Sequence, residues 1–256
     1  MFLFDRAGSA LARYLTRPAA HSLRISTSPP QALVNALQPG DVLLVEGDAR
    51  VSVAIKYLTQ SSWSHAALCV ASPLSTGVDA HVLLEVDVIE GVRLVPLSMY
   101  ARAHTRICRA VGLTAAEIRT VIEFALERVG RQYDTRHIWD LARYLLPMPP
   151  VPARWRRRLL AFGSGDPTRA ICSTLIAGAF HGVDYPILPE VVLSRDSDIE
   201  AEHAYAELRH IQEHGLYMPR DFDVSPYFQI VKPTLAQGFD PHTRHVLAGS
   251  ATNREA

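Results

Sequence analysis

Asp166-Pro-Thr-Arg-Ala-Ile-Cys-Ser-Thr-Leu-Ile-Ala-Gly-Ala-Phe180 predicts a helix with a thiol near its start. Asp166 and Pro167 supply a cap followed by a first-turn proline. Ala177, Gly178 and Ala179 are small enough to let that helix pack closely on a sheet. Cys172 sits near the positive end of the helix dipole, where the thiolate is favoured over the thiol. A thiolate needs a base or a cation beside it to act as a nucleophile, so a histidine on the neighbouring sheet is the group to look for.

The sheet is predicted upstream. Asp41–Glu46 reads as a strand after a Gly40-Asp41 turn, and Val51–Thr59 as a short helix. Ser64–Ala71 and His81–Asp87 are strands, Ile89–Pro96 continues the sheet past a Glu90-Gly91 turn, and Arg106–Val111 adds another. Alternation along Ser64–Val70 puts His65, Ala67 and Cys69 on one face and Ala66, Leu68 and Val70 on the other. In His81–Val88 it groups Glu85 with His81, Leu83 and Asp87. If the two strands are neighbours, Glu85 reaches the far nitrogen of His65 and stabilises its charged form, the third role of a triad; His81 and Asp87 are the alternatives for that role. Cys69 and Cys108 are expected to be core residues.

Thr114–Gly130 is the clearest helix, with a Thr114/Glu117 capping box, an apolar face of Ile118, Ile122, Ala125 and Val129, and Gly130 as its stop. A further helix is expected over 135–146, ending at Pro147, and another over about 199–214. The chain closes with a strand-like Gln229–Lys232. Strands come first and helices after them, which argues for an α+β fold with a mostly antiparallel sheet.

The whole sequence of 256 residues carries 26 basic and 26 acidic side chains. The resulting zero net charge gives no global field for nucleic acid. Its cysteines number three, without metal-like spacing, which fits a reducing compartment rather than a disulfide framework. The N-terminal apolar stretches are broken by Asp5, Arg6 and Arg13, so no signal-peptide core is read there, and no run spans a bilayer. The expected location is the cytoplasm. Residues 1–38 are expected to form an amphipathic N-terminal helix (Phe4, Leu11, Tyr14 and Leu15 against Arg6, Arg13 and Arg17) and a proline-rich linker over 18–38. Residues 39–233 are expected to form the main domain, which would carry any catalytic site, and 234–256 a tail.

Taken in order, Gly40-Asp41, Ser64-His-Ala-Ala-Leu68, Leu83-Leu-Glu-Val86, Val129-Gly-Arg-Gln-Tyr-Asp134 and Ile171-Cys-Ser-Thr174 resemble the permuted NlpC-type papain-like cysteine hydrolases, the YiiX-like branch. The resemblance covers about residues 39–232, including the closing Pro219-Arg-Asp and Ser225-Pro-Tyr-Phe. In ordinary members the cysteine helix precedes the histidine strand; in this branch the order is reversed. The resemblance implies a circularly permuted papain-like fold with Cys172 as nucleophile, His65 as base and Glu85 as the orienting residue. It also implies that Tyr133, from the family's Gly-x-x-Tyr segment, helps bind the oxyanion. The implied reaction is acyl transfer through a thioester on a peptide or other acyl-containing small substrate, with no cofactor and no metal. Relatives cut amide bonds in cell-wall peptides, and some permuted relatives act on lipid acyl groups.

Other chemistry is legible beside it. The insert 147–169, with Arg154, Arg156, Arg157 and Arg158 among Trp155, Leu159, Leu160 and Phe162, and the N-terminal helix are the two places where a peripheral membrane contact would form. His203, Glu207, His210 and His214 recur at helical spacing and define a competing reading as a metal-dependent hydrolase. A third reading keeps the fold and drops the chemistry, leaving a module that binds a peptide or lipid headgroup.

Overall fold

The computed structural model describes residues 26, 28–71, 81–87, 90–131, 171–189, 217–236 and 238. Helix α1 spans Pro30–Ala36, strand β1 Val42–Glu46, helix α2 Arg50–Thr59, strand β2 His65–Ala71, strand β3 Val82–Asp87 and strand β4 Gly91–Pro96. A 3-10 turn over Leu97–Tyr100 leads to strand β5, His104–Ala110. Helices α3, Ala115–Leu126, and α4, Ile171–His181, follow, then α5, Pro219–Val224, strand β6, Phe228–Val231, and α6, Pro233–Ala236. Tyr133, the helix expected over 135–146, the insert 147–169, Asp166 and Pro167, the histidine-rich segment 199–214 and the N-terminal helix lie outside the described residues.

The strands form one six-stranded sheet in the order β4-β3-β2-β1-β5-β6, and every neighbouring pair is antiparallel. The α+β fold with a mostly antiparallel sheet is thus the observed one. Both faces are covered, which is why β1 reads as an unbroken apolar run. Val42 and Leu44 join Ala66, Leu68, Leu84 and Val86 on the face packed by α3 and α4. Leu43 and Val45 join Ala67, Cys69, Leu83 and Ile107 on the other face, under α1. The alternation read for β2 and β3 matches these two cores at Ala66, Ala67, Leu68, Cys69, Val70, Leu83, Leu84 and Val86; Val88 lies outside the described residues.

The linker reading of residues 18–38 is corrected over 30–36. Pro30 occupies the start of α1, where its missing N–H is not needed. Leu33, Val34 and Ala36 are buried against the sheet. A polar clasp fixes this helix: Arg109 donates to Asp41 Oδ1 at 2.8 Å and to Oδ2 at 2.7 Å, and also to the Ala36 carbonyl at 2.7 Å. The folded unit therefore begins before residue 39. Gly40 precedes the clasp with φ +87°, and a Cβ there would stand 2.8 Å from Ile118 Cγ2, so both conformation and space call for glycine.

Helix α3 carries the expected capping box, with Glu117 Oε2 accepting the Thr114 N–H at 2.7 Å and Thr114 Oγ1 accepting the Glu117 N–H at 3.3 Å. It ends earlier than the sequence suggests. Past Leu126 the chain turns so that Gly130 N–H donates to the Val92 carbonyl, and Val92 N–H to the Arg131 carbonyl. These bonds occupy the free edge of β4, which would otherwise be an open template for pairing. The buried side of α3 is accordingly Val121 and Ala125, and Val129 is exposed. In α4, Ala177 and Ala179 are fully buried, whereas Gly178 faces the Phe124 ring of α3. Among the described residues no helix is long and apolar enough to cross a membrane.

Candidate active site

His65 is the first residue of β2, and the backbone just before it is pinned. Ser64 N–H donates to the Val45 carbonyl at 3.1 Å, and Ser64 Oγ accepts the Gly47 N–H at 2.9 Å. Trp63 beneath this segment donates its indole N–H to Asp223 on α5 at 2.9 Å. The imidazole therefore leaves a fixed backbone at the margin of the sheet, 23% exposed.

Glu85 lies on the adjacent strand β3 and is 3% exposed. Its Oε2 accepts from His65 Nε2 at 2.8 Å. That bond occupies one ring nitrogen and leaves Nδ1 for the thiol of Cys172. The His65 ring and the Ala66 backbone N–H both favour the thiolate form of Cys172. Cys172 is the second described residue of α4 and is 8% exposed. The tertiary structure thus gathers Cys172, His65 and Glu85 at one place. His81, an alternative to Glu85, donates Nε2–H to the Val34 carbonyl at 2.7 Å, on the α1 side of the sheet. Asp87 accepts the Glu90 N–H at 2.9 Å.

The electrostatics follow from these contacts. Burial pushes the Cys172 thiol up, but the charge and hydrogen bond of His65, the Ala66 N–H and the Ser173 hydroxyl outweigh it and hold the thiol below its ordinary value. Burial works against a charged His65; the Cys172 thiolate and then Glu85 overcome it and raise the ring to about 10. Burial likewise disfavours ionised Glu85, yet His65, Tyr100 and Arg93 hold its carboxyl down to about 2. These interactions favour thiolate, imidazolium and carboxylate over their neutral forms. Cys69 and Cys108 behave in the opposite way: burial drives Cys69 up to about 12 and Cys108 up as well, as befits core thiols.

Two contributors were absent from the sequence reading. Arg93 on β4 donates through Nε to Glu85 Oε1 at 2.8 Å, and its Nη2 forms an ion pair with the same oxygen at 2.7 Å. The Tyr100 hydroxyl donates to Glu85 Oε2, and its ring lies 6.1 Å from that of His65. Arg93 had a signal, because Glu85 and Arg93 are direct partners across the β3–β4 hairpin, and opposite charges often face each other there. Tyr100, in a 3-10 turn past the end of β4, had none. Among the described residues no group of three or more His, Cys, Asp or Glu side chains could hold a metal ion.

Residues 36–145 match the model of the permuted papain-like amidase family, YaeF/YiiX, C92. The matched segment contains His65 and Glu85 and ends before Cys172. No curated protein matches the sequence. Among solved structures, the chain is similar to the metalloprotein YiiX from Escherichia coli O157:H7, at 17% identity over 77% of this chain and 97% of that one, with a TM-score of 0.46.

Proposed function

Over residues 36–145 this chain is a relative of the permuted papain-like amidases, and from that premise we propose that it hydrolyses an amide bond through a thioester on Cys172. The observation that carries the proposal is the continuous line from Glu85 through His65 to the only one of its three cysteines whose thiol is held below its ordinary value.

In this reaction the Cys172 thiolate attacks the substrate carbonyl carbon, and the carbonyl oxygen becomes an oxyanion. The Ala66 N–H, which favours the Cys172 thiolate, and N–H groups near the start of α4 are the donors we assign to that charge. As the tetrahedral adduct collapses, His65 Nδ1–H passes its proton to the departing nitrogen, the C–N bond breaks, and a neutral amine leaves. Neutral His65 then takes a proton from water as the water attacks the thioester. The C–S bond breaks, the acid is released, and the thiolate–imidazolium pair is restored. Glu85 stays ionised throughout; it holds the ring by Nε2 and stabilises the charge that appears on it. Tyr133 remains a proposed further oxyanion donor from the family pattern. A peptide amide is the substrate class we favour. An ester or lipid acyl group would pass through the same thioester, and a substrate panel separates them.

Site-resolved alkylation by iodoacetamide tests the reading. At about pH 6, where an ordinary thiol is less than about 1% ionised, Cys172 should be labelled and Cys69 and Cys108 should not. In His65→Ala that labelling should retreat to the pH range of an ordinary thiol, about 8.5. A silent Cys172 at the lower pH would refute the proposal and favour the binding-module reading.

A further inference from the structure

We propose that Arg93 and Tyr100 are positioning residues that, together with His65, engage both oxygens of Glu85, so that the carboxylate is locked as an anion in one orientation behind the imidazole. This rests on the triad reading above and extends it to two residues outside the triad.

An ionised carboxylate offers about four acceptor sites on its two oxygens. At Glu85 three hydrogen-bond donors and one ion-pair contact converge on them. Arg93 Nε at 2.8 Å and Nη2 at 2.7 Å are on Oε1; His65 Nε2 at 2.8 Å and the Tyr100 hydroxyl are on Oε2. Glu85 is 3% exposed, so no water competes effectively for these sites, and rotation of the carboxylate would break every one of the bonds. Charge-assisted bonds of this kind are the stronger ones.

The two added donors are themselves held. Arg93 donates through Nη1 to Glu90 at 2.9 Å and lies 3.6 Å from Asp87, so its guanidinium is fixed at the hairpin. Leu97, three residues before Tyr100, is fully buried, and its N–H donates to the His81 carbonyl at 3.0 Å. The charged and titratable groups around Glu85 are therefore His65 from β2, Arg93 from β4, Tyr100 from the 3-10 turn and Asp87 on its own strand. Glu90 lies behind Arg93 and Cys172 behind His65. A carboxylate without these partners could instead accept a proton or swing toward solvent, and the imidazole would lose its fixed direction toward sulfur.

Nuclear magnetic resonance of the full chain, following the ring carbons of His65 from acid to neutral pH, tests the assignment. In the wild type, with Glu85 held at about 2, the His65 signals should show no inflection between about pH 4 and 6. In Arg93→Gln, Glu85 loses a cation and a hydrogen-bond donor, and an inflection should appear in that range as Glu85 takes up a proton. In the double variant with Glu85→Gln that inflection should vanish, which assigns it to Glu85. If Arg93→Gln does not fold, Tyr100→Phe, which removes a single oxygen, carries the same test with an inflection displaced in the same direction. A purely structural role would move neither curve. His65 signals in both single variants that titrate as in the wild type would overturn the proposal. So would an inflection that survives in the double variant. Iodoacetamide labelling of wild-type Cys172 decides the triad separately: labelling with indifferent variants sinks only the positioning role, and absence of labelling sinks both.

Discussion

Replacing Glu85 by glutamine removes one charge and almost no volume, and its effect on His65 can be worked from the site. Nε2 and Oε2 are 2.8 Å apart, and Glu85 is 3% exposed. At an effective dielectric of about 20, opposite charges about 4 Å apart attract by about 4 kcal/mol. At about 1.4 kcal/mol for each pH unit, that corresponds to about 3 units of imidazole basicity. The ring, raised to about 10 in the wild type, should therefore titrate near neutrality in Glu85→Gln, at about 7. Arg93, left facing a neutral amide, repels the imidazolium and pushes the same way. The assay is a carbon-detected titration of the histidine rings, with the His65 signal identified by its loss in His65→Gln. A midpoint displaced by less than about half a unit would show that Glu85 does not hold the charge on His65 and that the reasoning is wrong. In hydrolysis, the basic limb of the pH–rate profile should fall with the same midpoint, because only the imidazolium can protonate the departing amine.

Other expectations concern stability. Glu85 is depressed from the ordinary 4.5 to about 2, so its contribution is complete above about 4.5 and is lost as pH falls toward about 2, a total of about 3 kcal/mol; acid denaturation of Glu85→Gln, followed by circular dichroism, should lack that part of the slope. His65 has the opposite sign: its raised value contributes stability below about 6.5 that disappears as pH rises through about 10, and His65→Gln should flatten the alkaline limb of the same measurement. Phe180 on α4 is 1% exposed among Tyr185 and Phe228, and Phe180→Ala should cost about 3–5 kcal/mol in denaturant unfolding. Gly40→Ala should be destabilising although it adds one carbon, because φ is +87° and Ile118 must move; a melting temperature equal to the wild type would show that the turn relaxes freely.

Much of the fold was legible because its signals are local. Alternation in β2 and β3 assigned each residue to a face, and those faces are the ones the two cores use. The capping box at Thr114 was legible for the same reason, since both partners lie within one turn. Pro29 and Pro30 misled for a reason equally local: the composition of a linker and the first turn of a helix both favour proline, and only the burial of Leu33 and Val34 separates them. The early end of α3 was hidden because Gly130 is set by hydrogen bonds to Val92 on a distant strand rather than by its neighbours in sequence.

The sequence by itself determined the chemistry available: a thiol near the start of a small-residue helix, an imidazole at the start of an apolar strand, and a carboxylate whose alternation faces that imidazole. What only the tertiary structure decided is which charges each group feels. Cys172 and His65 are 107 positions apart along the chain, and a pKa depends on distances of a few ångströms and on excluded water. The three cysteines share one side-chain chemistry, and the sequence set Cys172 apart only by its helix; burial raises the other two, whereas Cys172 meets an imidazolium and is lowered. Likewise Tyr100 carries no mark of its role, because its hydrogen bond to Glu85 is a property of the turn that follows the hairpin. Residue types set what each side chain can do; packing sets the electrostatic neighbourhood in which it does it.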